Sequence, residues 1–221
     1  APVGVQRRVS TQWWLLTGCS VLWLLHNMVF FSLGSFKSYM NEKMFGASWT
    51  DRREKIQHDS TFVFLTSVAS FACAAMLLFI VDRFKHFNLI VLFFAGVAVV
   101  FWVIGILLMT DSGPHWFLLV LMYFLCFAGV GMGSMMYLVS GISFPREVRA
   151  TCFSISASAS KVGALIGTAI FPVLEHVIGL GWMMCLFGFV CALGAAIAAI
   201  FAPEGEGLSL CWGRGARHEK C

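Results

Sequence analysis

Six apolar runs, each long enough to cross a bilayer, constrain this chain more than any other feature. They cover about 13–34, 60–81, 88–109, 116–140, 150–173 and 180–202. A transmembrane helix needs roughly 20 mostly apolar residues. In hydrocarbon every backbone polar group must find its partner within the protein. None of the runs shows the short alternating strands of a membrane barrel, so the sequence predicts an all-α membrane protein. Composition agrees: 12% of residues are charged, about half the share of a soluble domain, and mean hydropathy is +0.85. Residues 1–12 read as a linker and 203–221 as a tail. The opening "APVGVQRRVSTQWW" has no initiator methionine and lacks the cleavage pattern of a signal peptide, which suggests a fragment whose first span is mature.

Basic residues favour the cytoplasmic side of short loops. With six spans the two ends share a side. That side holds nine Lys and Arg residues (Arg7, Arg8, Arg83, Lys85, Arg146, Arg149, Arg214, Arg217 and Lys220), against five in the 35–59 loop. Both ends are therefore expected to be cytoplasmic, with the plasma membrane as the default location. The 35–59 loop has room for a short amphipathic helix. Trp49, Trp116 and Trp182 lie near span ends, where indole rings serve as interfacial anchors. Six of the eight cysteines fall in or beside spans and read as small hydrophobes. Cys211 and Cys221 are too far apart for a zinc knuckle; the tail reads as irregular chain, with lipidation or a disulfide as alternatives. No cofactor or metal is expected, and nucleic acid is excluded as a partner.

Lys161 stands near the middle of the fifth span, in "CFSISASASKVGALIG". A lysine there costs about 2.5–3.5 kcal/mol on insertion scales, so it needs a cavity, a partner or a task. At roughly 100° per residue, Ser154, Ser158, Lys161, Leu165 and Thr168 share one stripe. Ser156, Ser160, Gly163 and Gly167 form a nearly opposite stripe, small enough for close helix packing. No other span centre carries an acid. Two readings of Lys161 stay open: a binding or coupling group, or one half of a structural ion pair.

In the first span, "WLLHNMVFF" places Trp23, Asn27 and Phe31 at i, i+4 and i+8. His26 lies beside Asn27. An imidazole within a span is either a proton carrier or a hydrogen-bonding group between helices. "GVGMGS" in the fourth span lacks the strand-to-helix context of a phosphate loop, so Gly129, Gly131 and Gly133 read as packing positions. Dispersed serines and one histidine do not assemble a nucleophile with an oriented base, so an enzyme is not expected.

"FPREVRATCFSISASASKVGALIG" resembles the segment joining the tenth and eleventh helices of major facilitator superfamily transporters. It is most similar to the phosphate:proton symporters, whose pattern runs approximately FPTRVRSTxxGISAAxGKxGA. "VDRFKHF" (81–87) resembles the loop between helices eight and nine, "PEGEGLSL" (203–210) the ending after helix twelve, and "WLLHNMVFF" the helix-seven pattern WFLLDxxFY. The resemblance implies six transmembrane helices forming the C-terminal half of a twelve-helix transporter, whose N-terminal half or a second chain completes it. It implies that Lys161 contacts phosphate and that Trp23 lines the same site. Asn27 stands where the family has a coupling aspartate, Phe31 replaces a phosphate-binding tyrosine, Gly133 replaces an asparagine and Ile142 an acid. Asp82, Arg83 and Arg149 would form a latch between loops.

The expected function is secondary transport of a small solute by alternating access, with inorganic phosphate and proton coupling first. Lys161 would bind the anion, Trp23 and Asn27 would line the cavity, Phe31 would be an apolar wall, and His26 would supply the proton coupling that Asn27 cannot. A sugar or organic-ion carrier, and a non-transporting sensor or degenerate half, are the alternatives.

Overall fold

The computed structural model of the chain describes residues 3–45, 52–81, 83–84, 86–112 and 114–214, with side chains placed outside 3–11, 43–45 and 202–214. The described residues form seven helices and no strand: α1 (Val3–Ser35), α2 (Lys37–Phe45), α3 (Arg52–Ile80), α4 (His86–Met109), α5 (His115–Ile142), α6 (Arg149–Ile178) and α7 (Leu180–Arg214). Six of them carry the spans expected from the sequence, at Gln12–Ser35, Arg52–Ile80, His86–Met109, His115–Ile142, Arg149–Ile178 and Leu180–Phe201. Helical backbone continues through 3–12 and 203–214, where the sequence suggested a linker and an irregular tail.

Two spans outrun their apolar cores. α3 begins eight residues before its apolar run, because Arg52, Arg53, Glu54 and Lys55 are good helix formers and Glu54 sits favourably in the first turn. α6 passes through Pro172 to Ile178. The proline removes a single backbone donor, and the apolar residues beyond it still favour the helix.

The short helix anticipated in the 35–59 loop is α2. It is tied to the start of α3 by a Lys55–Glu42 ion pair of 2.6 Å. Asn41 is buried and its amide donates to His58 Nδ1 at 3.1 Å and Asp59 Oδ1 at 3.2 Å. Trp116 and Trp182, at the starts of α5 and α7, are both about two-thirds exposed, as anchors should be; Trp49 lies outside the described residues.

The most extensive helix pairings are α4 with α7 and α1 with α6, and α3 and α4 both lean on α5. Phe94, Phe101, Ile90 and Ile104 of α4 are fully buried, together with Met183 and Met184 of α7. Trp102 closes the α4–α7 seam by donating from its indole to the Cys185 carbonyl at 3.2 Å.

The α1–α6 seam forms differently. The buried residues of α6 are Ser156, Ser160, Gly163, Gly167 and Phe171, which contains the small stripe read from the sequence. A Cβ at position 163 would run into the Leu24 carbonyl, and one at 167 into the Met28 carbonyl and the Ser32 hydroxyl. Lipid is as apolar as a leucine side chain, so close van der Waals approach drives this association. Ser160 turns its hydroxyl onto the Ala157 carbonyl at 2.6 Å, so that this donor enters the seam paired. Phe171 completes the seam by stacking on Phe36, with centroids 4.3 Å apart. The pairing leaves the opposite stripe of α6 uncovered.

Candidate functional site

Lys161 is the thirteenth residue of the thirty in α6, about 18 Å along the helix from its start. It is exposed, as are Ser154, Ser158 and Leu165 on the same stripe, and Thr168 is half-buried. Ser158 and Thr168 donate to carbonyls one turn back, at 2.8 Å to Ser154 and 2.9 Å to Ala164. Such bonds satisfy the hydroxyls within their own helix and leave the lysine as the strongest donor on the face.

The Lys161 ammonium lies over the Phe31 ring, 5.8 Å from its centroid. That distance suits a cation–π contact, which orients the head group without neutralising it. Among the described residues Lys161 has no carboxylate partner. The ammonium is therefore available to an anion from outside the six helices.

Trp23, Asn27 and Phe31 do not share an environment. Trp23 is 3% exposed and Asn27 7%, whereas Phe31 is 37% exposed. Each i+4 step on a helix advances about 40° beyond a full turn, so two steps carry Phe31 out of the seam and beneath Lys161. The Trp23 indole donates to the Ser140 hydroxyl at 2.8 Å, and the Asn27 amide donates to the Trp23 carbonyl at 3.0 Å. Trp23 thus ties α1 to α5, while the Asn27 bond stays within α1.

Beside Trp23 is an aromatic group that the sequence reading did not single out. Tyr137 meets the indole edge-on with centroids 4.5 Å apart, and Phe153 lies 6.4 Å from Trp23 and 6.0 Å from Tyr137. Tyr137 is 58% exposed, so its ring stands on an open surface with Trp23 behind it. The available signal was the i, i+3 spacing of Tyr137 and Ser140, which puts two polar groups on one side of an apolar span.

His26 is 4% exposed and stacks on Phe30 at 5.4 Å. A Cβ at position 133 would stand 3.0 Å from His26 Nε2, so the absence of a side chain at Gly133 makes room for the imidazole. The expected packing role of the glycines in "GVGMGS" thus acquires a particular partner.

Of the loop residues, Asp82 lies outside the described residues, and Arg83 is exposed. Arg149 Nε donates to the Phe144 carbonyl at 3.1 Å, which braces the turn between α5 and α6. The described residues bring no three metal-ligating side chains together.

Residues 6–211 match the family profile described as "Sugar (and other) transporter". The chain is 30% identical over 114 residues to glucose transporter GlcP of Staphylococcus epidermidis, which covers 51% of this chain and 24% of the relative. It is 26% identical over 214 residues to the protein named probable inorganic phosphate transporter 1-10 of Oryza sativa subsp. japonica, covering 86% of this chain and 37% of the relative. It is 26% identical over 199 residues to glycerophosphoinositol permease 1 of Candida albicans, covering 87% and 37%. The chain thus spans less than two-fifths of the length of these relatives.

Proposed function

The chain belongs to the sugar (and other) transporter family, within the major facilitator superfamily, and from that premise we propose that it serves secondary transport of a small anion, inorganic phosphate first. One observation carries this reading. A full positive charge near the middle of a membrane span points to an open face, with an aromatic ring beneath it and no acid beside it among the described residues. Such a charge is costly in a membrane, and an incoming oxyanion offsets that cost while forming charge-assisted hydrogen bonds.

In this mechanism Lys161 binds the anion, Phe31 holds the ammonium in line, and the short side chains at Ser154 and Ser158 leave space for the solute. Trp23 supports the site from behind by fixing α1 on α5, and Asn27 braces the Trp23 backbone. Alternating access exposes the face to each side of the membrane in turn, with Arg83, Arg149 and Asp82 latching the loops. The six helices work with a further six-helix unit across the open face, and the two ends of the chain lie in the cytoplasm of a cell whose plasma membrane is crossed. His26 exchanges the coupling proton.

The test is uptake of radiolabelled phosphate into proteoliposomes holding the full-length protein. Lys161→Ala is expected to abolish uptake, and Lys161→Arg to retain part of it. Uptake by Lys161→Ala equal to the wild type overturns the assignment.

A second reading has its own observation. The open Tyr137 ring beside Trp23 and Phe153 suits stacking against the apolar face of a sugar or polyol, and relatives named for glucose and glycerophosphoinositol favour it. Competition separates the two. Excess phosphate blocks uptake only under the first reading, and excess hexose or inositol only under the second.

A further inference from the structure

Away from Lys161, a pocket of about 60 Å³ lies between α1, α3, α4 and α5. Its lining is mostly apolar, but four polar side chains reach it: His26, Lys37, Ser70 and Cys126. The exposed members of the lining are Phe30 and Gly34, and Lys37 at the start of α2 is half-buried. Lys37 is the first residue of α2, just past the end of α1, and its ammonium acts electrostatically on the Cys126 thiol. Ser70 donates to the Thr66 carbonyl at 2.9 Å and more weakly to that of Cys126 at 3.4 Å.

His26, one of the lining residues, carries an unsatisfied atom. His26 Nδ1 is buried and has no hydrogen-bond partner among the described residues. A buried polar atom left unpaired is destabilising, and such atoms in native proteins are met by protein groups or ordered water. The pocket supplies the means. A single water needs roughly 10–15 Å³ by this measure of volume, so the pocket has room for a few. Water suits either tautomer, because it can donate to Nδ1 or accept from it.

We propose that the pocket is a water-filled inlet that opens at the α1–α2 junction, ends at His26, and lets this imidazole exchange protons with that side of the membrane alone. The titratable groups facing it are Lys37 from α2 and Cys126 from α5. α3 presents Ser70, α4 presents Val97 and Phe101, and no carboxylate lines the inlet among the described residues. α6 and α7 also pack on α1 but add nothing to the lining, and Lys161 of α6 lies over Phe31 instead. The inlet stands on its geometry; its use in coupling rests on the transport reading above.

Cys126 is a native reporter inside the inlet, and Cys191 of α7 is a buried control outside it. The experiment uses the full-length protein in proteoliposomes, in two versions whose only cysteine is Cys126 or Cys191. Silver ion, small enough to follow water, is added to one side of the membrane. Remaining thiols are then counted with N-ethylmaleimide after denaturation. Silver from the α2 side is expected to block Cys126 at least ten-fold faster than Cys191, and at least ten-fold faster than silver from the other side. Cys126 blocked no faster than Cys191 overturns the inlet, and equal rates from both sides overturn its one-sidedness.

A measurement on the protein with all its cysteines stands beside this one. Nitrogen-15 spectra of histidine-labelled protein, with His26→Gln identifying the signal, should show the His26 ring signal moving as the pH is changed. A ring signal that never moves overturns proton exchange at His26. A blocked Cys126 with phosphate uptake unaltered in pH profile by His26→Gln would leave the inlet standing and remove coupling from its role. Loss of uptake in Lys161→Ala alone bears on the transport reading and leaves the inlet untouched.

Discussion

The two faces of α6 are made from nearly the same small residues, yet they do opposite work. Ser156, Ser160, Gly163 and Gly167 are buried, and the two glycines lie against the backbone of α1. Ser154 and Ser158, two residues offset from Ser156 and Ser160, stand open beside Lys161. On the closed face, smallness brings two helices within contact of each other's carbonyls, and any added atom meets backbone. On the open face the same smallness leaves room beside a charge. The difference teaches that a serine- and glycine-rich span is read by angle and not by composition.

The comparison breaks most severely at the seam. Gly167→Leu would push a side chain into the Met28 carbonyl and the Ser32 hydroxyl. Overpacking of this kind costs about 1–3 kcal/mol or more, and backbone cannot yield as a flexible side chain can. Detergent-solubilised protein is expected to lose its monodisperse elution peak, or to melt at least several degrees lower.

Lys161→Met attacks the open face and should have the reverse signature. Phosphate uptake falls at least a hundred-fold, while thermal stability is unchanged or higher, because the cost of the membrane lysine disappears. A Lys161→Met protein that melts well below the wild type would reassign the lysine to a structural pair.

A matched pair of substitutions sharpens the contrast. Ser160→Leu places a large side chain at a position only 4% exposed and is expected to destabilise by about 1–3 kcal/mol. Ser158→Leu, on the exposed stripe, is expected to stay within about 0.5 kcal/mol while reducing uptake by crowding the lysine. Equal melting temperatures for the two would erase the distinction between faces.

The smallest effect is at Phe31. Phe31→Leu removes the ring beneath the ammonium, a contact of about 0.5–1 kcal/mol at an exposed site, and should weaken half-saturating phosphate by about two- to five-fold with maximal uptake retained. Phe31→Tyr should keep the ring contact and the wild-type value or better.

Much of the fold was legible in the residues. Long apolar runs specify helices because hydrocarbon offers no other partner to the backbone, and the six spans stand where the runs are. The small stripe on α6 was legible because 3.6-residue periodicity assigns residues to faces before any neighbour is known. Lys161 was legible because the membrane makes a mid-span charge conspicuous.

The site beyond the lysine was not legible in the same way. Trp23, Asn27 and Phe31 look equivalent at i, i+4 and i+8, and only the drift of the helix face and the position of α5 separate two buried supports from one open ring. The pairing of Trp23 with Ser140 joins residues 117 apart in the chain, and no local pattern encodes it. His26 facing Gly133 is likewise an agreement between two helices, a ring on one and a missing side chain on the other.

The sequence by itself thus determined the helices, their apolar lengths and the two stripes of α6, since these follow from backbone hydrogen bonding and helical periodicity. Only the tertiary structure decided which stripe would be covered, what lies beneath Lys161, and that His26 is buried with its Nδ1 unpartnered among the described residues. Those outcomes depend on how close particular pairs of helices can come, and that distance is set jointly by side chains far apart in the chain.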